Sequence, residues 1–405
     1  MKRILKTNIK EILYFIGYFL MGLAAVVIGN SYLFGSRRFQ LCEVVQYVAA
    51  AMFLISFCID RYKIKNFVAV ILLGVATLLV ATVMHNIAFA LFGLSVVTSV
   101  HINVRRIVKN SVINNIIFLT IVIVPALFGW IPDEIYYHNG MKAHCLGFAY
   151  YSNVPYLVLM GTIATYWLIQ SKKMERLFLV LSIPVHILVY RISTVRVVFY
   201  VYVLFLLFVL GCSGINTKRQ HKFLNWIATF MYPVMAVLVF WASFKYKSSA
   251  VLSSFNELLS YRLKFNQQGF EQYGVKLFGQ QIQTSKEYID ENFINHYFYI
   301  DCGYVYMLIV YGLILFIAIM SLYILLSNYA MKTNNIKLIS WCFIICVFSV
   351  INNIMFNTAL NPLPILGLNL LLSGDIILGE RNMDNKRGKI VKGSSKRRKI
   401  VMKLR

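Results

Sequence analysis

Runs of roughly 20 apolar residues, the length that crosses a hydrocarbon core of about 30 Å, recur about a dozen times along this chain. In lipid each run must satisfy its own backbone hydrogen bonds, which makes each of them a helix. The sequence therefore reads as an all-α polytopic membrane protein with about 12 transmembrane helices. With 405 residues, 59% of them hydrophobic, the chain carries more apolar surface than a soluble fold can hide. Lys2, Arg3, Lys6 and Lys10 precede the first run, and no small-residue cleavage site follows it. It reads as a retained span and not as a cleaved leader.

Spans are expected at about 12–34, 40–59, 67–84, 87–104, 112–130, 150–170, 177–192, 194–212, 224–244, 303–326, 338–356 and 363–379. The third and fourth turn at His85-Asn86, the seventh and eighth between Arg191 and Arg196. Two connectors on the same side are long enough to carry function, 131–149 and 245–302. The second is the large extracytoplasmic loop between helices 9 and 10, and it holds six of the fifteen acidic residues. Residues 1–379 form the membrane domain and 380–405 a basic cytoplasmic tail, read as disordered and held near anionic headgroups.

The net charge of +25 needs no nucleic acid to explain it. About 29 of the 40 Lys and Arg fall on one side of the expected topology. By the positive-inside rule that side, with both termini, is cytoplasmic. No internal repeat is evident, and span interiors are nearly free of charge, which weighs against an ion-coupled transporter. The seven cysteines show no metal-ligand spacing and mostly read as core packing. A Cys145–Cys302 disulfide is geometrically open but not favoured.

Arg191 and Arg196 stand at the end of a hairpin where arginine is disfavoured. Snorkelling to lipid phosphates accounts for either one. The functional reading is a clamp for a phosphate or pyrophosphate, for which a planar guanidinium is suited. Arg262 and Lys264 form a second cationic group, in a segment where Leu258, Leu259, Tyr261, Leu263 and Phe265 suggest one short amphipathic helix on the membrane surface. Here interfacial anchoring and anion binding carry equal weight. Asp290, Glu291, His296 and Asp301 supply carboxylates and an imidazole able to take a proton from a hydroxyl. Asp290 and Glu291 read as solvated. Asp301 reads as a helix N-cap or a general base, and His296 is its competitor because its ordinary pKa of about 6.5 suits that role. His138 and His144 lack a close third ligand, so they read as ordinary loop residues.

The order of these elements resembles the Wzy-type O-antigen and capsular polysaccharide polymerases and, more distantly, the O-antigen ligases. In those families a T-x-R pattern opens a helix, here Thr194-Val195-Arg196. A large outer loop follows with an Arg (Arg262) and a Leu-Phe-Gly turn (Leu277-Phe278-Gly279). It closes on D/H-N-x-Y, here Asp301-Cys302-Gly303-Tyr304, running into a helix with a Tyr-Gly pair (Tyr311-Gly312). Cys302 departs from the usual Asn. The motifs span roughly 186–325.

The resemblance implies an enzyme of the bacterial plasma membrane that acts on its outer face and needs no metal or other cofactor. Polyprenyl-pyrophosphate-linked oligosaccharide repeats are its partners, with membrane lipids and, in such systems, flippase and chain-length regulator proteins. Arg191 or Arg196, with Arg262 and Lys264, would bind the leaving pyrophosphate; Asp301 or His296 would be the base. A glycan ligase and a non-enzymatic flippase are the alternatives.

Overall fold

The turn residues divide the apolar runs much as the sequence suggests. Asn86 caps its helix by accepting the Ala88 N–H, directly after the left-handed His85 (φ 47°). Thr194 takes the left-handed conformation (φ 56°) between the seventh and eighth helices. Asn103 accepts the Arg105 N–H and Asn335 the Leu338 N–H at two further N-termini, each satisfying a backbone donor that the helix leaves unpaired.

The computed structural model describes residues 2–60, 64–138, 140–213, 221–284 and 298–373. In chain order the helices are α1 Lys2–Gly22, α2 Arg38–Ile59, α3 Ile64–Met84, α4 Ile87–Thr98, α5 Val104–Leu127, α6 Asn153–Leu168, α7 Lys172–Ser193, α8 Arg196–Ser213, α9 His221–Lys245, α10 Ala250–Leu258, α11 Arg262–Tyr273, α12 Gly303–Tyr306, α13 Gly312–Lys332, α14 Ile336–Phe348 and α15 Leu363–Ser373. The chain is thus an all-helical polytopic membrane protein, with one small hairpin among the described residues. Among the described residues seven helices are long and apolar enough to cross a membrane: Asn8–Ile28, Gly35–Ile59, Asn66–Met84, Val104–Leu127, Lys172–Ser193, Ile227–Ser248 and Gly303–Lys332. α4, α8, α14 and α15 are apolar but shorter. α1 packs on α2, α3 on α4, α5 on α6, α6 on α7, α8 on α14, and α13 on α9 and α15.

The eleventh expected span, 338–356, is not one helix. α14 stops at Phe348, and the irregular stretch 349–362 lies buried before α15. Asn352, Asn353, Asn357 and Asn361 offer the backbone competing hydrogen bonds, and Pro362 disfavours helix at the residue before it. Non-helical backbone is tolerated at this depth only if partners satisfy it. Here Tyr18 donates to the Thr358 carbonyl (2.6 Å), Tyr323 to that of Met355 (3.0 Å) and Asn361 to that of Ile354 (3.3 Å). The tenth span is also interrupted, by a π-helical turn over Met307–Tyr311 that ends at Gly312.

The charged pairs gather at one end of the spans, as expected. α1 begins ten residues before the expected boundary, which carries Lys10 inside the bundle. There Lys10 pairs with Asp60 and donates to the Val100 carbonyl. Beside it Arg106 meets Glu11 at 2.6 Å, and His101 meets Asp60 at 3.1 Å. At the same end Arg105 donates to the Leu168 carbonyl, and Lys337 bridges Glu175 and the Ile169 carbonyl.

At the opposite end, the 131–149 connector forms an antiparallel hairpin, β1 Ile135–His138 with β2 Met141–His144. It is tied to the α1–α2 connector by Ala149 N–H to the Asn30 carbonyl (2.8 Å) and Tyr32 N–H to that of Gly147 (3.0 Å). His144 pairs with Asp133 at 2.7 Å, and the His138 side chain lies outside the described residues. Cys145 and Cys302 are both buried free thiols.

Candidate functional site

Two non-glycine residues in succession, Ser260 (φ 55°) and Tyr261 (φ 62°), adopt the left-handed conformation just before Arg262. Such residues cost about 1–3 kcal/mol each and persist only where their surroundings hold them. Buried Asn256 is what holds this corner. Its backbone carbonyl accepts from Tyr261 N–H (2.8 Å) and its side chain from Lys264 N–H (3.2 Å). The expected single amphipathic helix is therefore two helices, α10 and α11, bent at this corner. Leu259, Leu263 and Phe265 pack into protein, not onto a membrane surface.

The bend delivers Arg262 to Asp301. Nη2 lies 2.9 Å from Oδ2 of Asp301, while Nη1 donates to the Leu259 carbonyl at 2.8 Å. The guanidinium side chain is 18% exposed and the carboxylate 36%, so the pair is screened from solvent on one side and reachable on the other. Buried Nε of Arg262 has no hydrogen-bond partner among the described residues. Two residues singled out from opposite ends of the long 245–302 stretch thus form one ion pair.

Asp301 is not an N-cap: Cys302 holds that position at the start of α12 and makes no side-chain cap bond. The Asp301 end is fixed from behind. Gly303 N–H donates to the Ser349 carbonyl at 2.7 Å, and Tyr306 N–H to that of Cys302 at 2.8 Å. Burial pushes the Cys302 thiol up to about 11, so it stays protonated and unreactive near neutral pH. The irregular 349–362 stretch is therefore the backing of the site.

Tyr156, in the first turns of α6, lies within electrostatic reach of both Arg262 and Asp301 and beside the Asn352 and Ser152 side chains. Its ring meets Phe348 edge-on at 5.5 Å. Tyr156 and Asn352 were not among the sequence candidates. α6 also connects the pair to the Thr194-Val195-Arg196 hairpin. It runs antiparallel to α7, with Thr162 bonded to His186 at 3.1 Å. At 1.5 Å rise per residue, that register brings Asn153 level with Thr194–Arg196. Asn153 Nδ2 and Thr194 Oγ1 are buried without a hydrogen-bond partner among the described residues. Arg191 and Arg196 are exposed, and neither forms an ion pair with a described residue. Lys264 is half-buried, two residues beyond Arg262. His296, Asp290 and Glu291 lie outside the described residues.

The Leu277-Phe278-Gly279 turn docks directly on the Tyr311-Gly312 break. Leu313 N–H donates to the Lys276 carbonyl (2.9 Å), Ile314 N–H to that of Leu277 (3.2 Å), and Gln280 N–H to that of Val310 (3.1 Å). Gly279 (φ 81°) and Gly312 (φ 86°) meet backbone to backbone, where a Cβ on either would overlap the other strand. The π-turn frees these backbone groups, and the loop pairs with them.

A cavity of about 180 Å³ lies beyond Asn353, between α1, α2, α4 and the irregular stretch. Phe89, Phe92 and Tyr311 give it an apolar wall; Gln46, Asn353 and Asn357 give it a polar one. Among the described residues no three His, Cys, Asp or Glu side chains converge as a metal-ligand set. What the pair and its neighbours offer chemically is anion recognition by a guanidinium beside a carboxylate able to accept a proton. Comparison with protein-family models, with curated proteins and with solved structures found no match for the chain.

Proposed function

We propose that the chain is a polysaccharide polymerase that joins polyprenyl-pyrophosphate-linked oligosaccharide repeats at the outer face of a bacterial plasma membrane. The observation that carries this reading is the Arg262–Asp301 ion pair. Arg262 is the loop arginine of the resembling families, and Asp301 is the acidic residue that closes their loop. Docking of Leu277-Phe278-Gly279 on Tyr311-Gly312 supports it independently, because two further motifs of the resemblance also meet in space.

In this reading Asp301 holds Arg262 in the resting state. The arriving pyrophosphate competes for the guanidinium, whose Nε is uncommitted. Charge that develops on the leaving pyrophosphate is met by a preorganised fork, joined by Arg196 or Arg191 and by Lys264. Asp301, released from its partner, takes the proton of the acceptor hydroxyl while polyprenyl pyrophosphate leaves. His296 is the alternative base. The finer topology belongs to the same reading: about twelve spans, both termini cytoplasmic, and the 245–302 loop outside. A cysteine placed at Ser285 should react with an impermeant maleimide on intact cells. Reaction only after permeabilisation would reverse the orientation and remove the outer-face chemistry with it.

A flippase is the second reading, and one feature favours it. Helices interrupted around a partly polar cavity, as α14, 349–362 and α15 are around Asn353 and Asn357, are characteristic of transporters. Purified protein given lipid-linked repeats separates the two. Polymer formed in detergent, where no translocation is possible, is the enzyme result. Translocation in vesicles without any lengthening of the glycan would replace the polymerase with the flippase.

A further inference from the structure

The face that α10 leaves uncovered has a composition and a height that match a bilayer surface. At about 100° per residue the eight residues after Ala250 divide into three sectors. Leu252, Asn256 and Leu259 just beyond the helix turn toward protein; Asn256 and Leu259 are buried. Ser253, Ser254 and Glu257 occupy an exposed polar sector. Val251, Phe255 and Leu258, at i, i+4 and i+7, form the third, and they are 78%, 44% and 68% exposed. A soluble surface has no reason to display a continuous apolar stripe on so short a helix. Two sectors, one apolar and one polar, on either side of a protein-facing seam are what a helix lying in an interface requires.

The height follows from the span before it. Ile227–Ser248 is an apolar helical run of at least 22 residues, about 33 Å against a core of about 30 Å. Ser248 therefore stands at or just outside the membrane boundary, and α10 starts two residues later. The Leu277-Phe278-Gly279 turn lies within about one helical turn of that level, because Tyr232 meets Tyr323 and Phe240 meets Phe316 across α9 and α13. Gly303–Lys332 has 30 residues, about 45 Å. Counted from Lys332 at the far boundary, the near one falls close to Gly312, where the turn docks. Val275, Leu277 and Phe278 are exposed there as well. Charge completes the pattern: Lys245, Lys247 and Lys276 flank these apolar groups, are exposed, and pair with no described carboxylate.

We infer that α10 is a membrane-surface anchor. Val251, Phe255 and Leu258 enter the headgroup–acyl boundary of phospholipid, Lys245 and Lys247 meet anionic phosphates, and the Asn256-clamped corner transmits that depth to Arg262. Arg262 is thereby held at the level where a lipid-borne anion presents its charge. This placement needs only the membrane-spanning helices and stands apart from the polymerase reading.

The test uses the full-length protein in vesicles of about 70% phosphatidylcholine and 30% phosphatidylglycerol. A benzophenone amino acid replaces Val251, Phe255, Leu258 or, as control, Glu257, and adducts are identified by mass spectrometry after irradiation. Phospholipid adducts at the three stripe positions should exceed those at Glu257 by about tenfold. Phosphatidylglycerol should be captured above its mole fraction, and Lys245→Glu with Lys247→Glu should return the ratio to the mole fraction. Capture of a second copy of the chain, capture of residues 285–297 of the same chain, or lipid adducts no more frequent than at Glu257 would each overturn the assignment.

Discussion

Arg262→Lys should leave glycan chains at one or two repeat units while protein level and insertion stay normal. A lysine keeps the charge but loses the fork that reaches the Leu259 carbonyl, Asp301 and an incoming phosphate together. One charge-assisted hydrogen bond is worth about 1.5–3 kcal/mol, which in a transition state is a roughly 10- to 150-fold fall in rate. Arg262→Ala should fall further and should also loosen the α11 start, since the ion pair that ties Arg262 to Asp301 is lost. The decisive variant exchanges the partners, Arg262→Asp with Asp301→Arg. A pair that only staples the loop to α12 would recover both melting temperature and polymer. A pair that handles pyrophosphate should recover melting temperature alone. Normal polymer from the exchanged pair would therefore remove Arg262 from the chemistry. Asp301→Asn, which still accepts from Arg262, separates proton transfer from this bridge. If it polymerises normally while His296→Ala does not, the base is His296.

How much of this was legible in the sequence depended on what kind of force set each feature. Asn86 was readable because local preference sets a helix cap, whereas Thr194, a β-branched residue at positive φ, carries no such signal. Arg262, Asp301, Leu277-Phe278-Gly279 and Tyr311-Gly312 were readable as positions, but their pairing was not, because it depends on backbone groups freed by a π-turn that hydropathy does not register. The α10–α11 bend was hidden for a related reason. Ser260 and Tyr261 carry no left-handed signal, and only the tertiary clamp of Asn256 holds them. Residues 338–356 looked continuous because Ile351, Ile354, Met355 and Phe356 keep the run apolar. The signal against a helix was the density of asparagines from 352 to 361, and the same signal pointed to Asn352 beside the site. Tyr156 had none, lying in an apolar run like any packed tyrosine. The hairpin at 135–144 was announced by Asn139-Gly140, a two-residue turn pair between strand-like segments.

Gly312→Ala should be the most damaging substitution of a single methyl group in the chain. Gly312 combines φ +86° with ψ 167°, a region open essentially to glycine alone, and holding an alanine there costs about 1–3 kcal/mol. The added Cβ would also overlap the backbone of Leu277 and Gly279, so the turn must lift off. That breaks the bonds from Leu313 to Lys276, Ile314 to Leu277 and Gln280 to Val310, at about 0.5–1.5 kcal/mol each. The freed N–H and carbonyl groups then lack the partners that the turn supplied. Gly279→Ala should give the same result from the other side of the contact, because its Cβ would strike the Val310 carbonyl. Gly74→Ala is the control. A Cβ there meets nothing, and alanine favours the helix by up to about 1 kcal/mol. In detergent, both docking variants should melt well below the parent and be cut by protease between Gly274 and Gln283, whereas Gly74→Ala should melt at or above it. The cut matters more than the melting point. A released 275–284 turn loosens the contact of α11 at Gly269 with Ile300 and Ile309, and so the placement of Arg262 against Asp301. Lost protection and lost polymer should therefore appear together in both variants. Protection unchanged from the parent in Gly312→Ala would mean that the turn is not held by this backbone contact, and the link from the Tyr-Gly pair to the site would fail with it.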